Sequence, residues 1–134
     1  MGPFRKKFKR EYAKTLFSIA EGDLCSARDC RSGGTGRAEN VSFHAEQAIE
    51  KSLKAVICHL GLPIPMVHDL KALIAALPDK CPLPPSASKM QELSEFATIR
   101  RYEEGNYALT DEELKSAIRV AEESILWAKK VIVK

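Results

Sequence analysis

The chain has 134 residues, 45% of them hydrophobic and 29% charged, with a formal net charge of +3. That bounds it to one domain, residues 1–134, around one core, with the composition of an ordinary globular protein. No apolar run reaches the length of a membrane span and no secretion-signal pattern opens the chain, so a cytoplasmic protein without membrane attachment is expected.

From the N-terminus, Arg5, Lys6, Lys7, Lys9 and Arg10 form a basic cluster. Two readings are open: an arm that touches RNA or a nucleotide phosphate, or a solvated terminus. Cations at a helix N-terminus oppose the helix dipole. Residues 1–8 are therefore expected to be a frayed basic segment, with the first helix running from about Lys9 to Asp29. Its apolar line is Ala13, Leu16, Ala20, Leu24 and Ala27, widened by Phe17. Gly22 weakens it by about 1 kcal/mol relative to Ala unless a neighbouring backbone approaches closely. The next segment, Arg31-Ser-Gly-Gly-Thr-Gly36, is a connector: a phosphate-cradling P-loop needs a preceding strand and a Gly-Lys-Ser/Thr ending, and neither is present.

The second helix starts at Asn40 or Ser42, either of which suits a cap, and stops at Gly61. Ile49, Leu53, Val56 and Leu60 recur at four-three-four spacing on one face. A second stripe, Ala45, Ala48, Ser52 and Ala55, is small enough to admit a close helix. Glu46, Gln47, Glu50, Lys51 and Lys54 fill the polar arc, with Glu50 and Lys54 at favourable i,i+4 spacing. A helix that packs on two sides belongs at the centre of a bundle.

Pro63 and Pro65 hold an extended turn, and Asp69 caps a short third helix with Leu70, Leu73, Ile74 and Leu77 inward. Pro78 closes it, and Pro82, Pro84 and Pro85 stiffen the connection to the next helix. Ser88-Lys-Met-Gln91 has capping-box form and opens a fourth helix, with Met90, Leu93, Phe96, Ala97 and Ile99 apolar. Thr110-Asp-Glu-Glu113 is the clearest cap, flanked by Leu109 and Leu114 as a hydrophobic staple. The last helix carries Leu114, Ile118, Ala121, Ile125, Ala128 and Ile132 as its main stripe. A second line of Val120, Trp127 and Val131 either completes a wide core or forms a dimer face anchored by Trp127. The expected fold is all-α: an up-and-down antiparallel bundle of about five helices, four long and one short.

The four cysteines, Cys25, Cys30, Cys58 and Cys81, include no C-x-x-C pair, so free thiols are expected, with no metal and no cofactor. His44 has two readings, a partly buried helix histidine hydrogen-bonded to a neighbouring carboxylate or a contributor to the cleft beside Arg100 and Arg101; His59 reads as an exposed polar-face residue and His68 as a turn residue flanking the Asp69 cap.

The stretch Phe43-His-Ala-Glu-Gln-Ala-Ile-Glu-Lys-Ser-Leu-Lys-Ala55 resembles the signature helix of the HEPN family of small helical domains. Ala20-Glu-Gly-Asp-Leu24 with Ala27 resembles the family's first helix. Gly61, Pro63 and His68-Asp-Leu70 resemble its middle turn and third helix. Arg101-Tyr102 falls where many members carry Arg-Tyr-Pro, and Leu114 to Ile132 fits the last helix. Membership implies pairing into homodimers and, in many members, metal-independent ribonuclease activity. The family's motif for that activity is an Arg and, four to six residues later, a His. Arg neutralises the scissile phosphate while His moves the proton.

Here Arg100 and Arg101 are present, but Arg101 leads to Tyr107 where the His belongs, and a phenol with an ordinary pKa of about 10 is a poor proton shuttle at neutral pH. Arg37 and His44 match the motif as text, at the start of the second helix rather than near the last pair. Arg101, His44 and Tyr107 are the catalytic candidates; Arg100, Arg101, Tyr102 and Tyr107 are the candidate nucleotide- or RNA-binding set. The resemblance implies a non-catalytic binding partner of a minimal nucleotidyltransferase in a toxin–antitoxin-like module, with Tyr102 or Tyr107 as an adenylylation target. The alternatives are a ribonuclease toxin and a structural helical adaptor that binds no nucleotide.

Overall fold

The apolar spacing read along the chain emerges as helix. The computed structural model of the protein describes residues 3–33, 38–90, 93 and 109–133, with side chains from residue 10 onward, and among these residues there is no strand. Helix α1 spans Pro3–Gly33, α2 Ala38–His59 and α3 Leu70–Ala75. Helix α4 is described at residues 87–90 and at 93. Helix α5 spans Asp111–Ile132.

Three helix starts lie earlier than the sequence suggested. Helix α1 begins at Pro3, so the basic cluster expected to precede it as a frayed segment is part of it. Proline in the first helical position loses no helical hydrogen bond, and Arg and Lys are good helix formers. Together these outweigh a dipole penalty of about 0.3–1 kcal/mol per charge. Helix α2 begins at Ala38, which places Asn40 and Ser42 inside it. In α4, residues 87–90 are already helical and Met90 N–H donates to Ser86 O at 3.0 Å, so Ser88 does not cap it. Phe96, Ala97 and Ile99 lie outside the described residues.

The other ends obey their caps. After α2, Gly61 takes φ 79°, its N–H donates to Cys58 O at 3.0 Å, and Leu62 N–H donates to Ile57 O at 3.1 Å. This is the paired closure of a Schellman motif, and it requires a left-handed residue at Gly61. Asp69 caps α3 by accepting from Lys71 N–H. Thr110 and Glu113 form both halves of the capping box on α5.

Helix α2 is the central strut, packing against α1, α3 and α5, while α1 also meets α5. Its small stripe is fully enclosed: Ala45, Ala48, Ser52 and Ala55 each have 0% exposure. The Ser52 hydroxyl donates to Ala48 O at 2.8 Å, so no buried polar group is stranded there. Ile49, Leu53, Ile57, Leu70, Leu73 and Met90 make the bulk of the core. Ala13 and Leu16 cluster with Ala55 and Cys58, joined by Ile132. The beginning of α1 therefore meets the ends of α2 and α5. At the far end Arg31 of α1 pairs with Asp111 of α5 at 3.1 Å. Helix α1 thus runs antiparallel to both neighbours.

Candidate functional site

Charged side chains converge on Glu50, in the middle of α2. Its place on the helix is the polar arc, yet it is only 2% exposed. Lys54, one turn on, places Nζ 3.2 Å from Glu50 Oε2, and Lys51 Nζ lies 3.6 Å from the same oxygen. The other oxygen, Oε1, is 3.1 Å from His68 Nδ1, although the His68 side chain is 84% exposed. Burying a carboxylate is tolerable only when cations and hydrogen bonds match it. The two ammonium groups supply that match, and the imidazole ties the turn between α2 and α3 to the strut.

A second polar group lies across the α1–α2 seam. Asp23 of α1 holds its proton more tightly than an ordinary Asp because it is partly buried. The charges of His44 and Lys51 oppose that effect, and that of Glu50 adds to it. His44 is half-buried, its Nδ1 is enclosed without a hydrogen-bond partner, and its ring meets Phe43 edge-on at 5.5 Å. The hydrogen bond expected from His44 to a neighbouring carboxylate is not formed at Nδ1; the carboxylate that His44 acts on is Asp23, through charge. His59, expected to be exposed, is half-buried, and its affinity for a proton is lowered first by burial and then by Arg10. Among the described residues, no group of three or more His, Cys, Asp and Glu side chains is placed to hold a metal ion. No helix among them is long and apolar enough to cross a membrane.

The sequence-derived binding set, Arg100, Arg101, Tyr102 and Tyr107, lies outside the described residues. Just beyond Tyr107, the chain enters α5 through the Thr110 capping box. Of the proposed dimer face, Val120 is 2% and Trp127 7% exposed within a single chain. The Trp127 indole N–H donates to Pro82 O at 2.8 Å, and the Ser86 hydroxyl donates to Glu123. The proline-rich connection is thereby strapped across α5. Val120 and Trp127 complete the chain's own core, the first of the two readings given for that line, while Val131 is half-buried at its edge.

The Glu50 cluster was missed because nothing in the spacing of Glu50, Lys51 and Lys54 says which polar position will be buried. His68 was the available signal: a histidine next to a cap, in a short turn that must fold back on α2.

The comparisons with known proteins agree with this architecture. The HEPN domain model matches residues 13–131. The structure is similar to the crystal structure of TT1696 from Thermus thermophilus, with a TM-score of 0.75 and 22% identity, over 89% of this chain and 97% of that one. No curated relative matches the chain. With the strut, the short third helix and all but the last residue of the capped final helix inside the matched span, the chain belongs to the HEPN domain family.

Proposed function

We propose that this HEPN chain is a nucleotide- or RNA-binding subunit without catalysis of its own, working beside a separately encoded minimal nucleotidyltransferase in a toxin–antitoxin-like pair. The observation that carries the reading is the pattern Arg100-Arg101-Tyr-Glu-Glu-Gly-Asn-Tyr107. Two guanidinium groups suit a phosphate and two phenol rings suit a base, but the His that would move the proton is replaced by Tyr107. None of the chain's three histidines lies in that segment. His44 sits at the Asp23 seam, His59 beside Arg10 and His68 on Glu50, all on α2 or the turn after it. Pairing with a second copy belongs to the proposal, through a surface other than the enclosed Val120 and Trp127.

The test is direct. Purified protein incubated with RNA leaves it intact, while ATP or another nucleotide raises the melting temperature, because a ligand that binds only the folded state stabilises it. The shift disappears in the Arg100→Ala/Arg101→Ala variant. With the partner transferase and ATP present, mass spectrometry finds the adenylyl group on Tyr102 or Tyr107. Cleavage of RNA by the parent that is lost in Arg101→Ala overturns the non-catalytic reading in favour of a ribonuclease.

A further inference from the structure

His68 differs in its surroundings from the other histidines of the chain. Its side chain is 84% exposed, yet Nδ1 lies 3.1 Å from Oε1 of Glu50, a carboxylate only 2% exposed. A carboxylate can only accept, so Nδ1 carries the ring proton and Nε2 keeps its lone pair. With the Nδ1 edge on the strut and the ring so exposed, Nε2 is the nitrogen left to solvent. The backbone that presents it is fixed on both sides. The Gly61 closure precedes it, Pro63 and Pro65 stiffen the turn, and Asp69 is committed to capping α3. His44 and His59 lack this arrangement: Nδ1 of His44 is enclosed without a partner, and His59 is half-buried beside the charge of Arg10.

An imidazole held in one tautomer by a carboxylate, with its second nitrogen outward, is a prepared nucleophile. Positive charge that develops on the ring meets a carboxylate already in place. Lys54 and Lys51 reach the other oxygen of Glu50, at 3.2 and 3.6 Å. Two ammonium groups on that carboxylate favour an anionic phosphoryl group over a neutral acyl group, whose transfer would need an oxyanion hole. We infer that His68 is a phosphoryl-acceptor site, modified at Nε2 by a donor with a phosphorus–nitrogen bond, such as a phosphorylated histidine of another protein. In the transfer the Nε2 lone pair attacks phosphorus and the phosphorus–nitrogen bond of the donor breaks. Its electron pair leaves with the donor nitrogen; the donor carries a proton beforehand and so departs neutral. The ring, with Nδ1–H retained and Nε2 phosphorylated, is cationic and faces the Glu50 carboxylate. Its openness to solvent suits an acceptor that a second protein must reach, not an enclosed hydrolytic site. The inference goes beyond the function proposed above, since it uses neither the segment from Arg100 to Tyr107 nor a nucleotide.

The experiment incubates the full chain with potassium phosphoramidate at neutral pH, with N-acetylhistidine in the same tube as a free-imidazole reference. Mass spectrometry with site mapping follows both. The first phosphoryl group appears on His68, about tenfold faster than on N-acetylhistidine, the gain from one charge-assisted hydrogen bond. Glu50→Gln keeps an acceptor oxygen but loses the charge. It brings His68 down to the reference rate and leaves the slower labelling of His44 and His59 unchanged, while its circular dichroism matches the parent. The inference is overturned if His68 reacts no faster than the reference, or if His44 or His59 is labelled first. It is equally overturned if a folded Glu50→Gln variant keeps the parent's rate at His68. The comparison with N-acetylhistidine needs no substituted chain, so it decides the matter if that variant fails to fold. Failure here leaves the proposed function standing, because that rests on Arg100, Arg101 and the response to nucleotide.

Discussion

Replacing Glu50 with Ala strips the anion from Lys54, whose side chain is only 12% exposed, and releases His68 from the strut. Removing one partner of an enclosed ion pair is more damaging than the pair itself is stabilising, because the remaining charge stays desolvated. The expected loss is about 3 kcal/mol of unfolding free energy, towards the lower end for buried pairs because Lys51 and His68 can rehydrate. Urea titration of the parent and Glu50→Ala measures it, and a loss below about 0.5 kcal/mol would mean the cluster behaves as a solvated surface pair. The Glu50–Lys54 spacing was legible in the sequence, but the burial was not. The same i,i+4 pattern describes an exposed pair equally well, and the His68 contact comes from a turn that begins only after Gly61.

At the level of the helix, local chemistry was readable wherever it acts within one turn. Thr110 accepts from Glu113 N–H at 3.2 Å, and Glu113 accepts in return from the Thr110 backbone at 3.2 Å. Thr110→Ala removes one half of this box and is expected to lower stability by about 1 kcal/mol, seen as a reduced denaturation midpoint with an unchanged slope against denaturant. Gly22 makes the opposite prediction. It lies in the middle of α1, and a Cβ built there meets nothing within 4 Å. No close approach requires the glycine, so Gly22→Ala stabilises by up to about 1 kcal/mol, as helix propensity dictates. Calorimetry should record a higher melting temperature; a lower one would reveal a contact made by this face of α1. Helix starts were less legible than helix ends. Asn40, Ser42 and Ser88 have side chains suited to capping, but that chemistry does not prevent them from lying inside a helix, and here they do. Gly61 and Pro78 act as stops for reasons of backbone sterics, which tertiary packing rarely overrides.

Across the whole molecule, charge is sorted by topology in a way no single segment announces. The basic run near the N-terminus was visible in the sequence, but its approach to the end of α5 depends on α1 and α5 running antiparallel. The same arrangement brings Arg31 to Asp111 and Arg28 to Glu122, the latter at 3.4 Å, so the first and last helices are clasped at the opposite end. The candidate binding segment, by contrast, is known only as the sequence from Arg100 to Tyr107, and the reading of it rests on residue type.

The clasp and the α1–α2 seam give opposite dependences on pH. The hydrogen bond from Arg31, then that from Lys115, holds the Asp111 carboxyl below its usual value of 3.8. Asp111 therefore gives up its proton more readily folded than unfolded. It adds stability above the ordinary carboxylate range, and that contribution disappears as pH falls through its depressed value. Asp23 is shifted the other way: burial lifts it above 3.8. Its ionisation counts against the folded state at neutral pH, and the penalty is relieved as pH falls through the raised value and is gone below the unfolded one. Asp111→Asn should accordingly melt below the parent near pH 7, and Asp23→Asn above it. Both differences should shrink as the melts are repeated towards about pH 3, where the unfolded carboxyls are largely protonated. Melting curves of the three proteins over that range decide the matter. If Asp23→Asn melts below the parent at neutral pH, the attraction of His44 and Lys51 exceeds the burial of Asp23, and the seam would be a stabilising ion cluster like the one at Glu50.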